Sequence, residues 1–142
     1  MSLRAVLEGY LRDGGALALD YGIGDGFSGR TEVELHGDGA YRAMTTGTPD
    51  RRPIEFTGTT DDVRGVVGAL VDARVWEAAH VRERPREDDP EAVIAARSDV
   101  GEGEVRLWIS EIPDVPQFAA AQDALLAFAR EVSGGRILEP GR

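Results

Sequence analysis

The chain has 142 residues, 16 Lys+Arg against 26 Asp+Glu, a formal net charge of -10, 42% hydrophobic residues and no cysteine. A single soluble domain with one core is expected, since domains typically run ~100–150 residues, and the steady supply of Leu, Val and Ile excludes wholesale disorder. The missing cysteines exclude disulfides, thiolate zinc sites and cysteine nucleophiles, while the acidic excess argues against a nucleic-acid partner, because phosphate binding needs a basic surface.

No apolar run approaches the ~18–20 residues of a membrane span. The first eleven residues carry Glu8 and lack the apolar stretch of a secretory signal, so a cytoplasmic location and no membrane partner are expected. Every basic residue is Arg and there is no Asn. We attribute this to a GC-rich coding bias rather than to guanidinium chemistry.

Residues 2–12 place Leu3, Val6, Leu7 and Tyr10 at helical spacing opposite Arg4, Glu8 and Arg12, which predicts an N-terminal helix within 1–13. Residues 16–21 alternate, with Leu17, Leu19 and Tyr21 on one side, and predict a strand leading into a glycine-rich loop over 22–29. A second strand follows at 30–36 and a third at 40–46, joined through Gly37-Asp38-Gly39. A three-residue loop sets Leu35 opposite Tyr41, Val33 opposite Ala43 and Glu34 opposite Arg42. That register keeps one face apolar, and it puts Gly39 in the left-handed position such hairpins need.

Residues 48–53 are polar and proline-flanked, hence a loop, and Ile54 and Phe56 mark a short strand over 54–57. Thr59 or Thr60 can cap a second helix, with Asp61 and Asp62 in its first turn and Val63, Val66, Val67 and Leu70 as its buried stripe. Residues 75–81 fit either a continued helix or a strand. Residues 82–91 carry three Arg, five acids and two Pro, and read as a solvated loop. A second hairpin is expected from 92–97 and 105–110 around Gly101-Glu102-Gly103. Asp114 can cap the last helix, Gln117 completes a capping box, and Phe118, Ala121, Leu125, Phe128 and Val132 repeat at three and four before Gly134-Gly135. Residues 136–142 form a loose tail. The expected class is α+β: a single antiparallel sheet of about five strands, two long helices on one face, and a short N-terminal helix.

Candidate chemistry is sparse. Gly24-Asp25-Gly26-Phe27-Ser28-Gly29 matches a dinucleotide-binding pattern, but a strand follows it, so there is no helix N-terminus to hold phosphate. Asp20 and Asp25 lack the further ligands of a calcium loop. Glu32, Glu34 and His36 share one strand face and are the candidate metal- or proton-sharing residues. Charges on an outward strand face are nonetheless the normal case, and the other histidine, His80, lies in a segment without clear periodicity. No serine stands in G-x-S-x-G, so no nucleophile elbow is present. Neither catalytic residues nor a cofactor are assigned.

Partner-binding candidates stand out more. Phe27 is an aromatic at a loop tip, and Trp108 lies beside Arg106 on the outer sheet face, covered by the first helix or available to a partner. Gly65 and Gly68 sit three apart on the second helix, where close approach by another chain would offset their helix cost of ~1 kcal/mol each.

The order of Gly14-Gly15, the Gly26-Phe27-Ser28-Gly29 segment, the strand run, the helix starting Thr59-Thr60-Asp61-Asp62, a second hairpin and a C-terminal helix resembles small bacterial emfourin-like domains over residues 14–132. That family is associated with inhibition of thermolysin-type proteases, so the resemblance implies an inhibitory protein-binding role. This chain departs from it in the polar segments 48–53 and 82–91. The sequence therefore leads to a non-enzymatic acidic interaction domain, inhibitor- or immunity-like, with a basic protein partner. The alternatives are a small-molecule or metal-binding protein using Glu32, Glu34 and His36, or a homodimeric module.

Overall fold

A computed structural model describes residues 2–25, 29–45, 54–79, 81, 91–99 and 101–133. The elements run α1 (Leu3–Asp13), β1 (Ala18–Asp25), β2 (Gly29–His36), β3 (Ala40–Thr45), β4 (Ile54–Thr57), α2 (Thr60–Asp72), a 3-10 turn (Val75–Glu77), β5 (Glu91–Ser98), β6 (Gly101–Trp108), a second 3-10 segment (Ile109–Asp114) and α3 (Pro116–Ser133). The expected α+β class holds, with one antiparallel sheet of six strands in the order β4-β3-β2-β1-β5-β6. Residue 27, His80, the loops 48–53 and 82–90 and the tail 136–142 lie outside the described residues.

The β2–β3 hairpin takes the expected register, Leu35 opposite Tyr41, Val33 opposite Ala43 and Glu34 opposite Arg42. Gly39 has φ +101° and donates its N–H to the His36 carbonyl at 3.0 Å, while the Asp38 carboxylate accepts from the Ala40 N–H at 3.0 Å. The left-handed backbone at Gly39 is open to glycine and strained for other residues.

Two segments differ from the sequence expectation. β1 does not stop at Tyr21 but runs to Asp25, pairing Gly22 with Glu32 and Val93, and Gly24 with Arg30. Because β1 is held between two strands, ladder hydrogen bonding on both sides outweighs the low strand propensity of its glycines. In the second hairpin Ser98 pairs with Gly101, so Gly101-Glu102-Gly103 belongs to β6 rather than to the connection. Gly103 is needed inside that strand: a Cβ there would strike the Leu3 backbone, which α1 seats directly on it.

Leu3, Val6, Leu7 and Tyr10 of α1 and Val63, Val66, Val67 and Leu70 of α2 are buried. Phe118, Ala121, Leu125 and Ala129 of α3 are buried with them, in one cluster with Leu19, Tyr21, Val33, Leu35, Ile94 and Leu107 of the sheet. Each large apolar side chain so buried contributes roughly 1.5–3 kcal/mol. All three helices thus cover the same face, in two layers.

Thr59 caps α2 in a reciprocal box with Asp62. α3 starts with Pro116 as its first residue, so Val115, not Asp114, precedes it, and Asp114 closes the 3-10 segment. Proline suits the first helical position because its missing N–H is one the helix would leave unpaired anyway. Arg64 of α2 closes the far end of α1: its Nη2 donates to the Leu11 carbonyl at 2.6 Å, where the helix dipole favours a cation.

Candidate functional site: the open sheet face

Strand alternation turns the other face of the sheet outward. Register lines Arg42, Glu34, Asp20, Ala95 and Glu104 across it in one row, and Glu32, Gly22, Val93 and Arg106 in the next. No described element covers this face, since α1 lies with α2 and α3 against the core. That answers the position of Trp108: it is half-buried at the end of β6, opposite Glu91, without α1 over it.

At the centre, Gly22 contributes no side chain, and a shallow concavity of about 300 Å³ opens there, lined by Asp20, Gly22, Glu32, Glu34, Arg42 and Val93 among others. Asp20 at its rim has its carboxyl pushed above the usual carboxylate range. Partial desolvation in the concavity is the main cause, with Glu34 and then Glu32 adding repulsion against the opposing pull of Arg97 and His36. By surface area Asp20 is exposed, so the desolvation is that of a wet hollow rather than of a core.

His36 Nε2 lies 2.8 Å from Glu34 Oε1, two residues apart on one strand and both partly exposed. Among the described residues no three His, Asp or Glu side chains group as a metal ion would require. The sequence candidates Glu32, Glu34 and His36 therefore share a face, and Glu34 and His36 meet, without building a metal centre.

Arg106 stands 3.1 Å from Glu104 and 3.9 Å from Glu91, an outward ion-pair cluster beside Trp108. Gly65 is exposed and Gly68 half-buried on α2, and a Cβ at either would meet nothing within 4 Å. Close approach by a described element therefore does not explain these glycines. The structure gives no reason for them.

Sequence reasoning missed Glu111. It is the one charged side chain buried completely among the described residues, and its carboxylate accepts from the Trp108 N–H at 2.8 Å and the Val81 N–H at 2.9 Å. Its only trace in the sequence is an acid flanked by Ile109-Ser110 and Ile112, which does not reveal the backbone N–H groups it accepts from. Its place at the end of β6 ties the sheet to the segment entering residues 82–90.

Fold and face together define an open-faced α+β domain with an acidic, shallow, solvent-facing sheet surface. No family model and no curated protein sequence matches the chain. Among the described residues, no helix is long and apolar enough to cross a membrane.

Proposed function

We propose that this protein is a non-enzymatic interaction domain, inhibitor- or immunity-like, that docks a basic protein partner on its open sheet face in the cytoplasm. One observation carries the proposal: all three helices pack on one side, leaving Asp20, Glu32, Glu34, Glu91, Glu102 and Glu104 on the other against Arg42, Arg97 and Arg106. A sheet face of this kind presents rigid, regularly spaced carboxylates at ~6.5–7 Å along each strand, suited to the guanidinium and ammonium groups of a partner. Electrostatic complementarity then speeds association and makes it sensitive to salt. The half-buried Trp108 supplies an aromatic side chain, a residue type enriched in interfaces, at the margin of this face. Phe27 is kept as a second candidate anchor on its sequence position alone.

The test is affinity capture from source lysate at low and high salt, with bound proteins identified by mass spectrometry and bound metal assayed on the same sample. The captured protein is then titrated against Glu32→Arg, Trp108→Ala and Phe27→Ala variants whose melting is unchanged. The reading predicts a basic partner released by salt, weakened by Glu32→Arg and by at least one aromatic truncation. A partner held equally by all variants, or a clean bait carrying stoichiometric metal, overturns it, the latter in favour of Glu34 and His36.

A further inference from the structure

β6 is an edge of the sheet: among the described residues it pairs with β5 and with no other strand. The Trp108 N–H bonds to the Glu111 carboxylate instead of to β5, so it points away from the sheet. N–H groups two residues apart in a strand point the same way, and those of Glu102, Glu104 and Arg106 therefore point outward as well, each with its own carbonyl. Closure of the hairpin by the Ser98–Gly101 pair gives the same parity. The outward edge thus offers three complete donor–acceptor positions, at Glu102, Glu104 and Arg106.

We propose that the partner for this edge is a second copy of the same edge, giving a two-fold antiparallel β6–β6 pair centred on Val105. A two-fold antiparallel pair must centre on a residue, and the choice of centre fixes the charges. Centring on Glu104 sets Glu104 against itself between two Glu102–Arg106 pairs, centring on Arg106 sets Arg106 against itself, and centring on Gly103 sets Glu102 against Glu104. Centring on Val105 sets Glu104 opposite the other copy's Arg106, twice by symmetry, and makes that facing pair the hydrogen-bonded one. Opposite charges directly across a strand pair stabilise it and like charges oppose it. The two side chains are about half exposed, and their ion pair within one strand, 3.1 Å, can be exchanged for one across the axis. Charged edges commonly guard against pairing. This one is self-complementary in the register centred on Val105, which sets no charge against its like, as a two-fold symmetric interface requires.

The inference concerns the backbone of the sheet's edge, although the side chains of Glu104 and Arg106 also belong to the face proposed to dock a partner, and self-association of the isolated chain is read without that partner. Sedimentation equilibrium on the full chain, from low micromolar to near-millimolar concentration, should find a species of twice the 15.3 kDa chain mass. Glu104→Arg and Arg106→Glu should each weaken the dimer about tenfold or more, because each sets like charges against one another at two symmetric positions. The double variant Glu104→Arg/Arg106→Glu should restore it. Circular dichroism melts of all three confirm folding. A monomer throughout, a dimer indifferent to the single reversals, or a double variant without recovery overturns the proposal.

Discussion

Replacing Glu111 tests how the sheet is tied to the chain that enters residues 82–90. The carboxylate is fully buried and accepts from the backbone N–H groups of Trp108 and Val81, partners 3 and 30 residues away in sequence. A hydrogen bond to a charged group is worth ~1.5–3 kcal/mol, and an orphaned donor costs ~1–3 kcal/mol. Val81 is 59% exposed, so its freed N–H recovers water, and the carboxylate's own desolvation offsets part of the gain. Glu111→Ala should accordingly lose ~2–4 kcal/mol, and Glu111→Gln, which keeps shape and one acceptor but turns an amide N–H toward a backbone donor, ~1–2 kcal/mol. Urea unfolding followed by circular dichroism reads both directly. In a melt the alanine variant should fall by roughly 5–15 °C, given ~2–4 °C per kcal/mol for a domain of this size. A loss below ~0.5 kcal/mol for alanine, or glutamine costing as much as alanine, refutes the clamp.

Gly65→Ala and Gly68→Ala should each stabilise the protein by ~0.5–1 kcal/mol, since both are helical and an added Cβ meets open space; urea midpoints that stay put or fall would show a hidden constraint at α2. Burial pushes the Tyr21 phenol well above its ordinary 10.0, with Gln122 donating to its oxygen at 3.0 Å as the smaller, opposing effect. Because the folded state holds this proton more tightly than the unfolded chain, its contribution is complete below about pH 10 and declines as pH rises further, by up to ~1.4 kcal/mol per pH unit. Melts from pH 8 to about 11.5 should show the decline, smaller in Tyr21→Phe, and a flat wild-type profile would contradict it.

The sheet and its core were largely legible because each strand has one wet and one dry face, and alternation records that directly. Thr31, Val33 and Leu35 against Glu32, Glu34 and His36 identified both sides of β2, and the hairpin register followed from the apolar pairs alone. Glycines misled at the end of β1 and in the second hairpin. The extension of β1 through Gly22 and Gly24 and the strand position of Gly103 depend on neighbours supplied by β5 and by Leu3, which are distant in sequence. Local propensity carries no trace of such neighbours. The outer face was readable residue by residue, but its exposure turned on where α1 packs, and an amphipathic stripe does not say which side of a sheet it seeks. Glu111 escaped because its partners are backbone N–H groups, which have no sequence signature.

The position of β1 between β2 and β5 has a consequence for how the chain reaches its native state. β2 is a hairpin away, but β5 arrives only after β2, β3, β4 and α2 have been made. Until then, Leu19, Tyr21 and Ile23 belong to the open margin of a partial sheet, facing a layer that still lacks α3. Non-local closure of this kind slows folding and leaves an apolar strand edge exposed to other chains in the interval. A nascent or truncated polypeptide ending before Glu91 is therefore the species most prone to aggregate, and the complete protein owes its safety to the last third of its sequence.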